Sequence, residues 1–326
     1  MSEHKQYDVI CAGIATWDTL FTGVDKDLME IDGILAKGYF AASGGDAVNA
    51  AISMARLGLK TTICAALGKD SAALLVKGEL KQDGVDCSYL YESEDVYTAS
   101  PVLLIDSEGE RHIIRVPDNG NQFFTESMVS DELLEKSRHL HLASANVLRS
   151  LDGKPLGRLF ARAKEKGLTT SLDASYDRSG NWMKNIEDAL HYCDIFIPSL
   201  QEAAIYAGSE DLDKICSFFS AYPLKIFGIK LGEKGVLVTD FKETWKQATL
   251  YHGTPVDTTG AGDAFLAGFV SAWLKGYDIP SCASIGSAQS YSVLGAIGAN
   301  RAAGTWQDAV NLLDANGISL QKRERI

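Results

Sequence analysis

Short apolar runs alternate with stretches of helical period along most of this chain, and that alternation constrains the fold more than any other feature. Asp8-Val9-Ile10-Cys11-Ala12-Gly13, Thr61 to Gly68, Val85 to Tyr91, His139 to Ala143, Leu168 to Asp173, Cys193 to Pro198 and Lys225 to Lys230 read as strands. Between them, Ala50 to Leu57 (stopped by Gly58), Ser71 to Gln82, Lys154 to Lys166, Asn185 to His191, Gln201 to Ala207 and Leu212 to Phe219 read as helices. Further helices are predicted near 264–275, 280–294 and 306–314. Strands that alternate with helices predict an α/β fold with a mostly parallel central sheet covered by helices on both faces.

Two regions break that rhythm. Segment 19–43 carries short alternating runs, Leu20 to Val24 and Tyr39 to Ser43. In 96–120, Val102 to Ile105 and His112 to Val116 flank the turn Asp106-Ser107-Glu108-Gly109-Glu110, which reads as a hairpin. The two regions predict a small β-sheet lid inserted in a single domain spanning 1–326. Its open edges could pair across a two-fold axis, so a homodimer through the lid is expected.

Composition excludes several functions. The net charge is -12 and no basic stripe appears, which argues against a nucleic-acid partner. A phosphate would have to be held by backbone, a metal and a few lysines. The six cysteines are scattered without a C-x-x-C pair, so a reduced compartment and no zinc site are expected. The polar start and the shortness of the apolar runs predict a cytoplasmic protein without a membrane partner. A P-loop and a G-x-S-x-G elbow are absent, and Phe265 stands where a dinucleotide fingerprint begun at Gly260 needs its third glycine. His139 and His141 alternate on a strand and are expected to face opposite sides, which argues against a metal pair.

The candidate chemistry lies in Asp257-Thr258-Thr259-Gly260-Ala261-Gly262-Asp263-Ala264-Phe265. Phe265, Leu266, Phe269, Val270, Trp273 and Leu274 continue it at helical period, so the glycines open a helix. Free backbone N–H groups and the positive end of the helix dipole make such a turn an anion site. Asp263 places a carboxylate beside it, a combination suited to holding a phosphate while a nearby hydroxyl loses its proton. Two other stretches stand out. Asp18 follows the first strand, where α/β proteins commonly bind ligands. Gly44 and Gly45 precede a helix that carries Asn49 one turn in, so a ligand could approach the backbone there.

Together, Asp18, Gly44-Gly45-x-x-x-Asn49 and the late D-T-T-G-A-G-D-A-F motif resemble the ribokinase-like (PfkB) carbohydrate kinases, over essentially the whole chain. The G-G-D-A-x-N form looks like a branch of poorly assigned sugar kinases. The resemblance implies a large α/β domain with a small lid and ATP-dependent phosphorylation of a hydroxyl on a monosaccharide or sugar acid. It assigns Asp263 as catalytic base and Gly260, Ala261 and Gly262 as anion hole. Asp18, Gly44, Gly45 and Asn49 match sugar contacts, and Arg115 is a further candidate, toward a sugar-acid carboxylate. Lys230 to Gly235, with Gly232 and Lys234, resembles the nucleotide-binding turn. Glu202 matches the glutamate of an N-x-x-E element that organises Mg²⁺ through water, although Ser199 replaces the asparagine. Asp257 and Thr259, with the loop near Gly298-Ala299-Asn300, resemble a monovalent-cation site for K⁺. The middle-strand region reads Ala143-Ser144-Ala145-Asn146, without the acidic sugar ligand of ribokinase itself, and Asp173 to Arg178 is a loose echo of a D-x-N-x-R element.

The expected chemistry is in-line transfer, with the N–H groups of 260–263 stabilising charge on the phosphoryl oxygens and Mg²⁺ bridging the ATP phosphates. Lid closure would exclude water. The helix terminus would keep Asp263 ionised, available but a weak base. A nucleoside kinase of the same fold and a non-catalytic sugar- or nucleotide-binding regulator are the alternatives.

Overall fold

The computed structural model describes residues 5–25, 30–108, 110–117 and 119–323. In chain order the strands are β1 (Val9–Ala12), β2 (Thr16–Thr22), β3 (Gly38–Gly44), β4 (Thr61–Cys64), β5 (Ala66–Gly68), β6 (Tyr91–Ser93), β7 (Val102–Ile105), β8 (Arg111–Ile114), β9 (His139–Ala145), β10 (Thr169–Ala174), β11 (Ile195–Phe196), β12 (Ile226–Lys230), β13 (Val236–Thr239) and β14 (Thr244–Gln247). The main sheet runs β14-β13-β12-β11-β10-β9-β1-β4. From β4 to β12 every pairing is parallel, and only β13 and β14 pair antiparallel. The period-2 pattern sends Val9, Cys11 and Ile63 to one face and Ile10, Ala12 and Cys64 to the other.

The helices are α1 (Asp46–Arg56), α2 (Ser71–Gln82), the short α3 (Gly120–Phe123) and α4 (Asp131–Glu135), α5 (Lys154–Glu165), α6 (Met183–Leu190), α7 (Leu200–Ala207), α8 (Leu212–Phe219), α9 (Ala261–Leu274), α10 (Ile279–Leu294) and α11 (Trp306–Ala315). Residues of α1, α2, α9, α10 and α11 bury one face of the sheet, and residues of α4 to α8 bury the other. The α9–α10 contact is close because Gly268 and Gly286 meet. A Cβ on Gly268 would lie 2.7 Å from the Ile285 carbonyl oxygen, and one on Gly286 would lie 2.8 Å from that of Phe265.

A second, four-stranded sheet of order β3-β2-β7-β8 forms the small extra layer, the lid. It starts at Thr16, earlier than the alternating pattern suggested, so Asp18 sits on lid strand β2 and not in the turn after β1.

Three further expectations are corrected. Val85 to Tyr91 is mostly irregular, with a strand only from Tyr91. Thr61 to Gly68 breaks at Ala65 into β4 of the main sheet and β5, which pairs with β6. His139 and His141 share one face, as residues two apart on a strand must. Both reach Ser171 Oγ, from His139 Nε2 at 2.7 Å and His141 Nδ1 at 2.8 Å. Burial pushes both imidazoles down to about 3, so they are neutral elements of the core. The six cysteines are free thiols. Among the described residues no helix is long and apolar enough to cross a membrane.

Candidate active site

The C-terminal ends of β10 and β12 meet the N-termini of α1, α7 and α9 around a cleft of about 430 Å³. Gly260, Ala261, Gly262 and Asp263 line it, as do Ser199, Glu202, Lys230, Gly232 and Gly235. Gly260 caps α9 at φ 77°, a left-handed conformation that a glycine adopts without penalty. A side chain there would also collide with Ala299, whose carbonyl oxygen would lie 2.4 Å from the added Cβ. The turn that bares the first N–H groups of α9 therefore requires glycine on two counts.

Asp263 lies in the first turn of α9 and accepts a hydrogen bond from Asn49 Nδ2 at 2.8 Å. Asn49 Oδ1 in turn accepts from Asn300 Nδ2 at 3.0 Å, and Asn300 also donates to the Ser43 carbonyl at 3.0 Å. Arg56, in the last turn of α1, anchors this loop. Its guanidinium is paired with Asp83 and donates to the carbonyls of Asn300, Arg301 and Ala303 at 3.0 Å each. Asn49 is thus bound to the candidate base itself, and sequence reasoning had placed it only against sugar.

The expectation that the helix terminus makes Asp263 a weak base is overturned. Burial, reinforced by the Asp46 and Asp173 carboxylates, raises its pKa well above the usual carboxylate range, against the pull of Asn49 and Lys230. The magnitudes agree with that sign. A helix terminus contributes about 0.3–1 kcal/mol at exposed sites, less than one pH unit, whereas enclosure in protein can move a carboxylate by several units.

Lys230, at the end of β12, reaches the centre of the site. Its Nζ lies 3.0 Å from Asp173 Oδ1, and a Cβ on Gly262 would sit 3.1 Å from it. Burial disfavours the ammonium, but Asp173 and Glu202 outweigh burial and raise its pKa. Lys234, assigned to the same turn, is exposed and not among the cleft-lining residues. Glu202 closes a capping box on α7: Ser199 Oγ accepts from the Glu202 N–H, and Glu202 Oε2 accepts from the Ser199 N–H at 2.8 Å. A serine at 199 therefore serves the helix start directly. Burial raises the Glu202 carboxyl, partly countered by Lys230.

Asp18, Gly44, Gly45 and Arg115 flank the cleft and are not among its lining residues. Asp18 Oδ1 accepts from Thr16 Oγ1 at 2.6 Å, and its Oδ2 occupies the space a Cβ on Gly44 would need. Burial raises the Asp18 carboxyl, and the exposed Arg115 opposes that rise across the gap. Gly45, at φ 89°, lets α1 start against the Ile14 carbonyl. The first need for the two glycines is thus close packing. Ser144 and Asn146, at the end of β9, hold φ 78° and φ 81°, strained values for non-glycine residues. Asn146 Nδ2 donates to the Ser175 carbonyl at 3.0 Å and to the Tyr206 hydroxyl. Asp257 Oδ1 accepts from the Thr259 N–H at 2.9 Å and Oδ2 from the Gly298 N–H at 3.1 Å. Asp257 thereby braces the glycine turn against the 298–300 loop.

Asp46 was missed. It is the first residue of α1, lines the cleft and accepts from Ser175 Oγ at 2.8 Å. Its spacing of three from Asn49 put both on one helical face and was the available signal. The far end of the cleft, with Val236, Tyr291 and Leu294, was also missed.

A model of the pfkB family carbohydrate kinases matches residues 8–305. The chain belongs to the PfkB family of carbohydrate kinases. It is a phosphotransferase of ribokinase-like fold. An ATP-dependent 6-phosphofructokinase of Thermoanaerobacterium thermosaccharolyticum is 28% identical over 305 residues, covering 91% of each chain. Arabidopsis thaliana ribokinase, solved with ribose and ATP, superposes with a TM-score of 0.80 at 22% identity, over 94% of this PfkB chain and 98% of its own. A putative ribokinase II of E. coli, solved with ATP and Mg²⁺, gives 0.80 at 19% identity, over 95% and 99%.

Proposed function

We propose that this PfkB kinase transfers the γ-phosphoryl group of ATP to a hydroxyl of a monosaccharide or sugar acid, with Asp263 as the base. The observation that carries this reading is the meeting of Asp263 with the bared N-terminus of α9 in one cleft, held there by Asn49. The acceptor hydroxyl gives its proton to Asp263 as its oxygen attacks phosphorus. The N–H groups of 260–263 take up charge on the phosphoryl oxygens. Lys230, beside Gly262, adds a positive charge at the same place. Val236, Tyr291 and Leu294 offer an apolar end for the nucleotide base, with Gly232 and Gly235 allowing close backbone approach. Asp18 and Arg115, on the lid side, face the acceptor. The 6-phosphofructokinase and the ribokinase above differ in acceptor, so the family alone leaves the sugar open.

The donor set fits Mg²⁺. Among the described lining residues Lys230 is the only basic one, against the oxygen donors of Asp46, Asp173, Glu202 and Asp263. Glu202 and Asp173 would hold the ion through water, and a bound Mg²⁺ would neutralise phosphate charge. A coupled ADP-release screen over pentoses, hexoses, sugar acids and nucleosides, with and without K⁺, tests the reading. Asp263→Asn should lower turnover by about 10²- to 10⁴-fold while calorimetry shows ATP binding retained. Near-normal turnover of that variant would remove Asp263 from the base role. ATP binding without ADP release on any acceptor would favour a regulator.

A further inference from the structure

The lid touches the loop that backs the anion hole, and Phe40 makes the contact. Phe40 lies on β3 directly opposite Leu20 of β2, and Asp18 lies opposite Ala42, two residues on. Residues two apart on a strand share a face, as do residues directly opposite each other, so Phe40 and Asp18 are diagonal neighbours on one face of the lid. The tip of the Phe40 ring abuts Gly298, where a Cβ would lie 2.7 Å from Phe40 Cζ. The Arg301 guanidinium, from the same loop, lies 5.3 Å from the centre of the ring. The loop carries these contacts onward. The Gly298 N–H donates to Asp257, whose other oxygen holds the Thr259 N–H. Ala299 lies so close behind Gly260 that no Cβ fits between them. From α1, Arg56 fixes the Asn300 and Arg301 carbonyls, and Asn300 is bonded to the Ser43 carbonyl of β3. We propose that Phe40 is a positioning residue for phosphoryl transfer: gripped by Arg301, it wedges the 298–301 loop against Gly260, so that the anion hole keeps its shape only with the lid in place. The proposal rests on the reading of 260–263 as the anion hole.

Packing alone does not account for the arrangement. Phe40 is only half-buried, Arg301 is exposed, and the ring belongs to neither core that buries the main sheet. What the ring tip meets is the bare backbone of Gly298, at φ 101° a conformation suited to glycine. A flat, stiff side chain against bare backbone sets a distance between two elements. Here the elements are the strand beside Asp18 and the loop behind Gly260. By linkage, a phosphoryl group seated in the hole and a lid seated over the cleft each favour the other. An acceptor drawn to Asp18 then meets a lid already tied to the phosphoryl site. Water needs no lid, so a hole shaped only under the lid disfavours transfer to water.

Calorimetry of the full chain with Mg²⁺ and either ADP or the non-hydrolysable analogue AMP-PNP tests this, since only the analogue carries a third phosphoryl group to the hole. Phe40→Leu keeps an apolar cover but falls short of Gly298. It should bind ADP as wild type does and AMP-PNP about tenfold more weakly, the equivalent of one hydrogen bond to a charged group. Phe40→Ala should do the same. Arg301→Ala, at an exposed position, should weaken AMP-PNP alone by about two- to fivefold. A side chain that merely fills space would instead lower the melting temperature and affect both nucleotides alike. A wild-type ratio of the two affinities in a folded Phe40→Leu overturns the proposal, and so does that ratio in Arg301→Ala should neither Phe40 variant fold. Hydrogen exchange of the unliganded protein reads the same contact without nucleotide. The Thr259 and Gly298 amides, both bonded to Asp257, should lose protection in Phe40→Leu. Wild-type protein that binds neither nucleotide would overturn the kinase reading, and those two amides would still decide the role of Phe40, unchanged protection overturning it.

Discussion

Asn49→Ala separates two roles that the sequence assigned as one. In the structure Asn49 Nδ2 is 2.8 Å from Asp263 Oδ2, and a hydrogen bond to an ionised group contributes about 1.5–3 kcal/mol. Its loss makes the ionised carboxylate less favourable, so the proton affinity of Asp263, already high, rises further by about one to two pH units. The acidic limb of kcat/KM, which reports groups of the free enzyme, should move up by that amount. At a pH below the limb the rate falls about tenfold per unit. A second effect acts on the fold. Asn300 keeps its bond to the Ser43 carbonyl but loses Asn49 Oδ1, and a buried donor left unmet costs about 1–3 kcal/mol. The assay is coupled ADP release from pH 5 to 9 at saturating ATP, with thermal melts on the same samples. Asn49→Asp should move the limb further in the same direction, because it adds a like charge. A raised acceptor KM with an unmoved limb would refute the reasoning and return Asn49 to a sugar contact alone.

Three further outcomes are expected. Gly260→Ala must either push Ala299 away or leave the left-handed conformation, so the anion hole deforms and kcat should fall about 10²- to 10³-fold, with a melt showing retained fold. Asp18→Ala should raise the acceptor KM at least about tenfold, the equivalent of one lost hydrogen bond to a charged group, and leave the ATP KM unchanged; a change in ATP KM alone would misplace Asp18. Asp152 accepts the N–H groups of Asn146 and Leu148, yet burial pushes its pKa up to about 7. Raised above its unfolded value of about 4, it stabilises the fold fully only below that pH, and the contribution is lost as pH rises through about 7. Asp152→Asn stays neutral throughout, so its melting temperature should gain on wild type between pH 5 and pH 8, and a gap independent of pH would contradict the burial argument.

The layout of the molecule was legible because it follows from periodicity. Val9 to Ala12 and Ile226 to Lys230 read as buried strands and are, and the broken rhythm of 19–43 and 96–120 marked the second sheet. The glycine turn before Phe265 was legible because few backbones other than an opening helix use that pattern. Val85 to Tyr91 was misread because its pairing stops at a single parallel bridge from Asp86 to Thr62 of β4, and sequence does not show how far a ladder continues. The two histidines were misplaced by a slip in the period of the strand itself. The network around Asp263 was less legible for a different reason: Asn49 and Asp263 are 214 residues apart and Asn49 and Asn300 are 251 apart. Motif spacing carries no record of which distant side chains will share a proton or a hydrogen bond.

Charge settles what motif matching left out. A lone carboxylate at a helix N-terminus is a poor proton acceptor, because the dipole and the bare N–H groups favour its ionised form. The same N–H groups are what a phosphoryl group needs, so a site that uses one helix start for both tasks must offset the dipole at the carboxylate and keep it at the phosphate. The chain does this by enclosing Asp263 with Asp46 and Asp173 on one side while placing Lys230 against Gly262, where phosphate would sit. Asp173 holds Lys230 in that position at 3.0 Å, so the carboxylate that raises the proton affinity of Asp263 also aims the cation. An ATP polyphosphate entering such a cleft would meet four carboxylates and one ammonium among the described lining residues, an imbalance that a divalent ion carried with the nucleotide would offset.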